Sequence, residues 1–228
     1  VHGMLDDYSM RQKSVKKSAY LALGGRKLFS RATTVHFTAE AEREQAQPWI
    51  PGDYLPVIQA CAMDLAPYDN LPGPNPALAA FPQIDSSRQK ILFLSRVHPK
   101  KGVDLLLQAA RLLKSRGLEF DLLIAGPGEE NYVTEMRQLA KTLGVSESTH
   151  FLGMVRGDVK LSLYEVADVF VLPTHQENFG LVLPEALACG TPVVTTRGTD
   201  VWRELEQAGA SIVDNRPDTL ADAIVELL

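Results

Sequence analysis

From Lys90 onward, short apolar runs rich in β-branched residues alternate with segments whose apolar residues recur at helical spacing, and this alternation constrains the fold most. The runs at 91–96, 120–125, 149–153, 168–172, 192–196 and 210–213 read as buried strands. The segments at 103–115, 131–143, 158–166, 181–189 and 217–227 read as helices. Apolar strands separated by helices pair in parallel, because each crossover returns the chain in the same direction. The expectation is an α/β, Rossmann-like doubly wound parallel sheet with right-handed crossovers and helices on both faces. A hydrophobic content of 45% is ample for its core.

Ahead of this region the chain changes character. Residues 9–30 are helix-prone and carry Arg11, Lys13, Lys16, Lys17, Arg26 and Lys27; Thr33 to Phe37 reads as a short strand. Thr38 is the expected N-cap of a helix whose first turn holds Glu40 and Glu42. Five prolines between Pro67 and Pro82 mark a linker. The expected division is a remnant of a first domain over 1–66, a Pro-rich linker over 67–88 and the α/β domain over 89–228. The chain opens Val1-His2-Gly3-Met4-Leu5 and stops inside an amphipathic pattern, which reads as a piece of a longer protein. A net charge of −5 argues against a nucleic-acid partner. Cys61 and Cys189, the two cysteines, form neither a zinc pattern nor a disulfide framework and suggest a reducing, cytoplasmic setting. No apolar run is long enough to span a membrane. The basic stretch from 11 to 31 has two readings, a solvated helix face or peripheral contact with anionic headgroups at the inner face of the membrane.

Chemistry concentrates in Pro173 to Val194, where Glu177 and Glu185 stand with seven residues between them around Gly180. The apolar run before them and the helical spacing after them place Glu177 in the loop beyond a strand's carboxyl end and Glu185 about two turns into the following helix. In open α/β sheets that rim is where ligands bind. Backbone N–H groups of Asn178, Phe179, Gly180 and Leu181 converge at the helix start, where donors are unpaired and an anion is favoured. Arg96 and Lys101 flank the loop after the first strand of the domain. The sequence has no Asp-x-Asp and no His/Cys ligand cluster, so no metal is expected, and these fixed cations are the candidates to meet a growing negative charge. A charge pair at about 4 Å is worth on the order of 4 kcal/mol at an effective dielectric of about 20. Gly126-Pro127-Gly128 follows another strand, but the third glycine of a dinucleotide fingerprint would fall on Asn131, leaving a tight turn as the better reading. His175 reads as a bystander.

These residues resemble the second half of retaining glycosyltransferases of family 4, enzymes of the GT-B fold that carry two glutamates at this spacing. Arg96-Val97-His98-Pro99-Lys100-Lys101-Gly102, Ile124-Ala125-Gly126-Pro127-Gly128 and Phe151-Leu152-Gly153 are similar to the family's other segments, and Leu220 to Ile224 falls in the expected order. The resemblance implies transfer of a hexose from a UDP- or GDP-sugar to a sugar or lipid-linked acceptor, with retention at the anomeric carbon and without a cofactor. It implies that Arg96 and Lys101 meet the diphosphate and that Glu177 contacts the transferred sugar. Glu185 would hold the ribose; Asn178, Phe179, Gly180, Leu181 and Gly126 would line the donor. The loop at Met154 and Val155 would read the base through backbone groups, and His2 would face the sugar from the first domain. At the interdomain hinge the text Val57 to Asp64 departs from the family's pattern. The alternative function is a nucleotide-sugar-binding module without turnover, and this stretch alone is expected to bind donor and transfer little. A cell-surface polysaccharide or glycolipid pathway is the family-level expectation.

Overall fold

The computed structural model describes residues 3–12, 14–85 and 87–228, so the expected site residue His2 lies outside the described residues. Residues 3–58 form a small unit. The basic segment expected as one helical stretch is broken into α1 (Asp7–Arg11), α2 (Ser14–Tyr20), a π turn at Leu21–Gly25 and α3 (Arg26–Phe29). The break falls where Gly24 leaves helical geometry beside Gly25, residues with little resistance to a kink. Strand β1 (Thr34–Phe37), helix α4 (Glu40–Ala46) and strand β2 (Leu55–Ile58) follow. β1 and β2 pair in parallel from Thr34 opposite Leu55 to Phe37 opposite Ile58. Leu5, Met10, Leu21, Val35, Phe37, Ala46 and Ile50 make a core of their own.

One detail here corrects the sequence reading. The N-cap of α4 is Ala39, with no side-chain cap bond, rather than Thr38. The capping runs the other way: the Glu42 carboxylate reaches back to accept from the Thr38 N–H at 2.7 Å and its hydroxyl at 3.0 Å. A carboxylate in the first helical turn also faces the unpaired N–H groups and positive dipole end, which explains the preference.

The proline-rich stretch is more than a linker. It carries helix α5 (Asn75–Ala80), which Pro76 enters near its N-terminus, where its missing N–H costs nothing. Ala77 and Ile84 are buried in the main core, and the Ala77 N–H donates to the Ser162 hydroxyl at 2.9 Å.

Beyond it lie β3 (Gln89–Leu94), α6 (Val103–Ser115), β4 (Phe120–Ala125), α7 (Glu130–Thr142), β5 (Thr149–Gly153) and α8 (Gly157–Val166). The chain continues through β6 (Val169–Leu172), α9 (Val182–Ala188), β7 (Val193–Thr196), α10 (Trp202–Gln207), β8 (Ser211–Val213) and α11 (Pro217–Leu227). The strands form one sheet in the order β5-β4-β3-β6-β7-β8, with every pairing parallel. This is the expected doubly wound α/β architecture. β4 and β6 are buried throughout, as strands covered on both faces must be. In α6 the residues Val103, Leu106, Leu107, Ala110 and Leu113 recur at helical spacing and all are buried. Glu185 falls in the first turn of α9 rather than two turns in, being the fourth residue of a helix that begins at Val182.

The topology locates the site. The chain runs outward from β3 through β4 to β5, then crosses back to lay β6 against the other side of β3. Strand order reverses at the β3/β6 boundary, so the loops leaving these two strands diverge and leave a crevice at their carboxyl ends.

The docking of α5 is testable. Ser162→Ala leaves the Ala77 N–H buried without its acceptor, and the expected loss is about 1–3 kcal/mol in urea unfolding. An unchanged midpoint would show that α5 is not anchored to α8.

Candidate functional site

Two loops meet at the crevice: 95–102 after β3 and 173–181 after β6. They are stitched by backbone: the Lys100 carbonyl accepts the His175 N–H at 2.8 Å and the Thr174 hydroxyl at 3.0 Å. The stitching aligns side chains pairwise. Lys101, although a cation, is buried, and its ammonium is ion-paired with the carboxylate of Glu177. Lys100 donates to Gln176 Oε1 at 3.0 Å and lies over the Tyr8 ring, 5.0 Å from its centroid. Of the residues expected from sequence, Lys101 and Glu177 are thus brought into direct contact. Past Glu177, Gly180 turns the chain in the left-handed region at φ 65°. Among the described residues, the N–H groups of Asn178, Phe179, Gly180 and Leu181 make no hydrogen bond within the protein. His175 is held aside, its Nδ1 3.2 Å from Asn215 Nδ2.

Glu185 sits one helix turn away in a separate polar cluster. Its Oε2 accepts from the Tyr164 hydroxyl at 2.9 Å and lies 2.6 Å from Lys160 Nζ. Burial, and then the neighbouring Glu185 charge, push the Tyr68 phenol up to about 12 and the Tyr164 phenol well above its ordinary value, so both remain donors. A carboxylate has about four acceptor positions, so Glu185 keeps capacity for further hydroxyls. Tyr164 and Lys160 are four residues apart on α8, a spacing that puts them on one face, but nothing local in the sequence tied that face to Glu185.

Arg96, on the same loop as Lys101, and Gly126, after β4, line clefts of their own. Arg96 is exposed, makes no ion pair among the described residues, and lines a cleft of about 550 Å³ with His98, Glu129 and Tyr132. Its charge is felt at His98, whose imidazole is pushed below its ordinary value by burial first and then by Arg96 and Lys100. An adjoining cleft of about 550 Å³ runs from Val97 and Gly126 to Phe151 and Gly153, where Arg137 lies over the Phe151 ring at 4.6 Å. The N–H of Gly126 is used within the protein, donating to the Gly153 carbonyl at 2.7 Å. Met154 is exposed and Val155 buried in the core, both at the mouth of the loop after β5. Neither cleft is lined by Glu177 or Glu185, whose side chains are only 20% and 14% exposed.

The seam with the N-terminal unit contains residues that no sequence motif marks. Asp200, in the loop after β7, is buried; its N–H donates to the Glu177 carbonyl at 2.9 Å. Its carboxylate accepts from Asn178 Nδ2 at 3.1 Å and from Gln45 Nε2, on α4, at 2.9 Å. Arg203 on α10 bridges the seam at its exposed edge to Glu44, at 2.9 Å. Burial, reinforced by Glu42 and Asp6, pushes the Asp200 carboxyl up to about 7 despite the two amide donors. Among the described residues no group of three or more His, Cys, Asp or Glu is arranged to hold a metal ion, and no helix is long and apolar enough to cross a membrane.

Comparison with known proteins was made against this geometry. Residues 76–228 match the family model described as glycosyl transferases group 1. A D-inositol 3-phosphate glycosyltransferase of Mycolicibacterium gilvum is 34% identical over 169 residues, 72% of this chain and 37% of that protein. One of the same description from Saccharomonospora viridis is 32% identical over 206 residues, 83% of this chain and 48% of that protein. The chain therefore spans less than half the length of these two curated relatives. Among solved structures, Anabaena HepE in complex with UDP and glucose superposes with a TM-score of 0.79 at 21% identity, over 99% of this chain and 60% of that one. Sucrose-phosphate synthase of Thermosynechococcus elongatus gives 0.77 at 22%, over 92% and 52%. At such identities the structures speak for the fold, which is that of GT-B glycosyltransferases.

The buried Asp200 gives the fold a pH dependence of definite sign. An aspartate near 3.8 when unfolded and about 7 when folded binds a proton in the folded chain that the unfolded chain has released. Its contribution to stability is therefore complete below the unfolded value and is lost as pH rises towards about 7. Asp200→Asn removes it. The difference in unfolding free energy between the two proteins should drift by up to about 1.4 kcal/mol per pH unit across that window. Urea titrations that show a constant difference from about pH 4 to 7 would rule it out.

Proposed function

Since the chain belongs to the glycosyl transferases group 1 family, we propose that it is the donor-binding half of a retaining, family 4 glycosyltransferase that moves a hexose from a UDP- or GDP-sugar to a sugar or lipid-linked acceptor. The observation that carries the reading is the Lys101–Glu177 pair at the switch point, followed by four amides with no hydrogen-bond partner among the described residues. In this reading those amides and Lys101 meet the diphosphate, and Arg96 joins from the start of the same loop as Lys101. Glu177 accepts from hydroxyls of the transferred sugar, and Glu185 accepts from the ribose. The backbone at Met154 and Val155 contacts the base, Gly126 shapes the wall between, and His2 faces the sugar from the first domain.

The reaction breaks the bond from the anomeric carbon to the phosphate oxygen and forms one to the acceptor oxygen. The acceptor's proton passes to the departing phosphate on the same face. Negative charge grows on the nucleoside diphosphate as the bond breaks, so fixed cations and amide donors aimed at it stabilise the transition state more than the ground state. Exposed Val15, Tyr20 and Leu23, beside the exposed Lys16, Arg26 and Lys27, support peripheral contact of the N-terminal unit with an anionic membrane when the acceptor is lipid-linked. Binding without turnover is the expected behaviour of this stretch on its own.

Thermal unfolding with UDP, GDP and ADP tests the proposal. A nucleotide at about 100 times its dissociation constant adds about 2.7 kcal/mol. One nucleotide should raise the melting temperature of the parent chain, and Glu185→Ala and Lys101→Ala, folded by circular dichroism, should lose the shift. No shift with any of the three would sink the reading.

A further inference from the structure

The bonds across the seam between the two units lead to the loop that carries Glu177. Glu177 and Thr199 form a parallel bridge: the Glu177 N–H donates to the Gly198 carbonyl at 2.8 Å and its carbonyl accepts from the Asp200 N–H at 2.9 Å. The next residue, Asn178, is fixed by its side chain. Its amide donates to Asp200 at 3.1 Å and neighbours Glu42, a carboxylate of the N-terminal unit whose proton affinity it helps to lower. Glu42 is itself fully engaged, accepting from the Gly3 N–H at 2.7 Å and from Thr38. Burial works against its charge, but the Thr38 and Gly3 N–H groups outweigh it and hold its carboxyl below the ordinary value. Asp200 completes the joint by accepting from Gln45 at 2.9 Å. A side-chain amide has two protons to offer to the two buried carboxylates beside it, and neither an acid nor an alkyl group at 178 would have them.

We infer that Asp200 is a positioning residue: together with Glu42 it holds Asn178 between the two units, and through Asn178 it fixes Glu177 and the free amides that follow. The inference rests on the proposed donor site and adds a residue to it. It also assigns the Asn178 side chain to the joint, leaving only its backbone N–H for a ligand. Other charged or titratable groups facing Asp200 are Asp6, on the segment before α1, and Arg11, His175 and Arg197 around a small cavity of about 260 Å³. Asp6 is buried, and its Oδ2 has no hydrogen-bond partner among the described residues.

The test combines UDP and GDP titration calorimetry with hydrogen exchange at the Glu177 amide. Asp200→Ala and Asn178→Asp should each weaken binding of whichever nucleotide the parent chain takes by about tenfold or more, roughly 1.4 kcal/mol. Asp200→Asn, which keeps one acceptor oxygen, should recover part of the loss. Arg203→Ala, which cuts the exposed bridge to Glu44 across the same seam, should bind as the parent does. In Asp200→Ala the Glu177 amide should exchange faster while amides of α6 do not. Unchanged affinity in Asp200→Ala would overturn the inference. Were the parent to bind neither nucleotide, the donor-site reading would fail, and the exchange experiment alone would decide: selective opening at Glu177 supports the joint and an unchanged rate overturns it. Where Asp200→Ala does not fold, Asn178→Ala removes the joint from the loop side and is read the same way.

Discussion

Close backbone approach around the loop that leaves β6 is the constraint on which the rest of the site depends. On one side an added Cβ at Gly102 would lie 2.0 Å from the Pro173 carbonyl oxygen; on the other, one at Gly198 would lie 2.1 Å from that of Thr174. Backbone atoms on both sides would have to move to admit any side chain, so the loop is fixed in place before its own side chains are considered. Hydrogen bonds finish the clamp: the Thr174 carbonyl accepts from the Thr196 hydroxyl at 2.6 Å and from Asn215 at 2.9 Å, while its own hydroxyl donates to Lys100. The parallel sheet supplies the position, since strand order reverses at β3 and β6, and the clamp supplies the precision. A carboxylate carried on such a loop, as Glu177 is, is oriented by the fold rather than by a ligand.

The six-stranded sheet was legible because burial on both faces writes itself into composition. The strands at 120–125 and 149–153 and the helices at 103–115 and 217–227 were read to the residue, each bounded by glycine, proline or a change of period. Failures have local causes. Helix α10 carries Glu204 and Glu206 around a single buried residue, Leu205, and so shows no apolar stripe. Strand β2 includes Pro56 and is exposed along its length, so neither composition nor alternation marks it. Helix α5 was hidden by the prolines that suggested a linker. In the site, Lys101 and Glu177 were legible as chemistry, but their pairing was not, because contact between residues so far apart in sequence comes from topology. Asp200 left no trace, its neighbours being Glu177, Asn178 and Gln45 from two other parts of the chain.

The seam between the units differs in kind from the interior of either. Apart from Ala39, which packs into the main core, the apolar residues of the N-terminal unit make their own cluster, and at the site the two units are joined by a set of buried polar groups. Three carboxylates there meet different fates. Glu42 receives enough donors to stay charged; Asp200 receives two amides, but its burial and then two neighbouring acids raise its proton affinity; Asp6 caps α1 through one oxygen, taking the Ser9 N–H at 2.6 Å, and its other oxygen has no partner among the described residues. Burying an unpaired polar atom costs free energy that apolar packing would not.

The same trade explains why a buried lysine is tolerated at the rim. A lone ammonium with the exposure of Lys101 would titrate or force the loop outward, since taking a charge out of water costs several kcal/mol even after relaxation. Pairing with Glu177 removes that penalty, and at the short range of an ion pair the mutual attraction inside a low-dielectric rim is large. The pair also leaves each partner only partly satisfied: an ammonium has three donors and a carboxylate about four acceptor positions, and one contact uses one of each. A ligand that brings an anion and a hydroxyl side by side fills both remainders without separating the pair. A diphosphate bonded to a sugar is such a ligand, and a simple anion, which offers nothing to Glu177, is not.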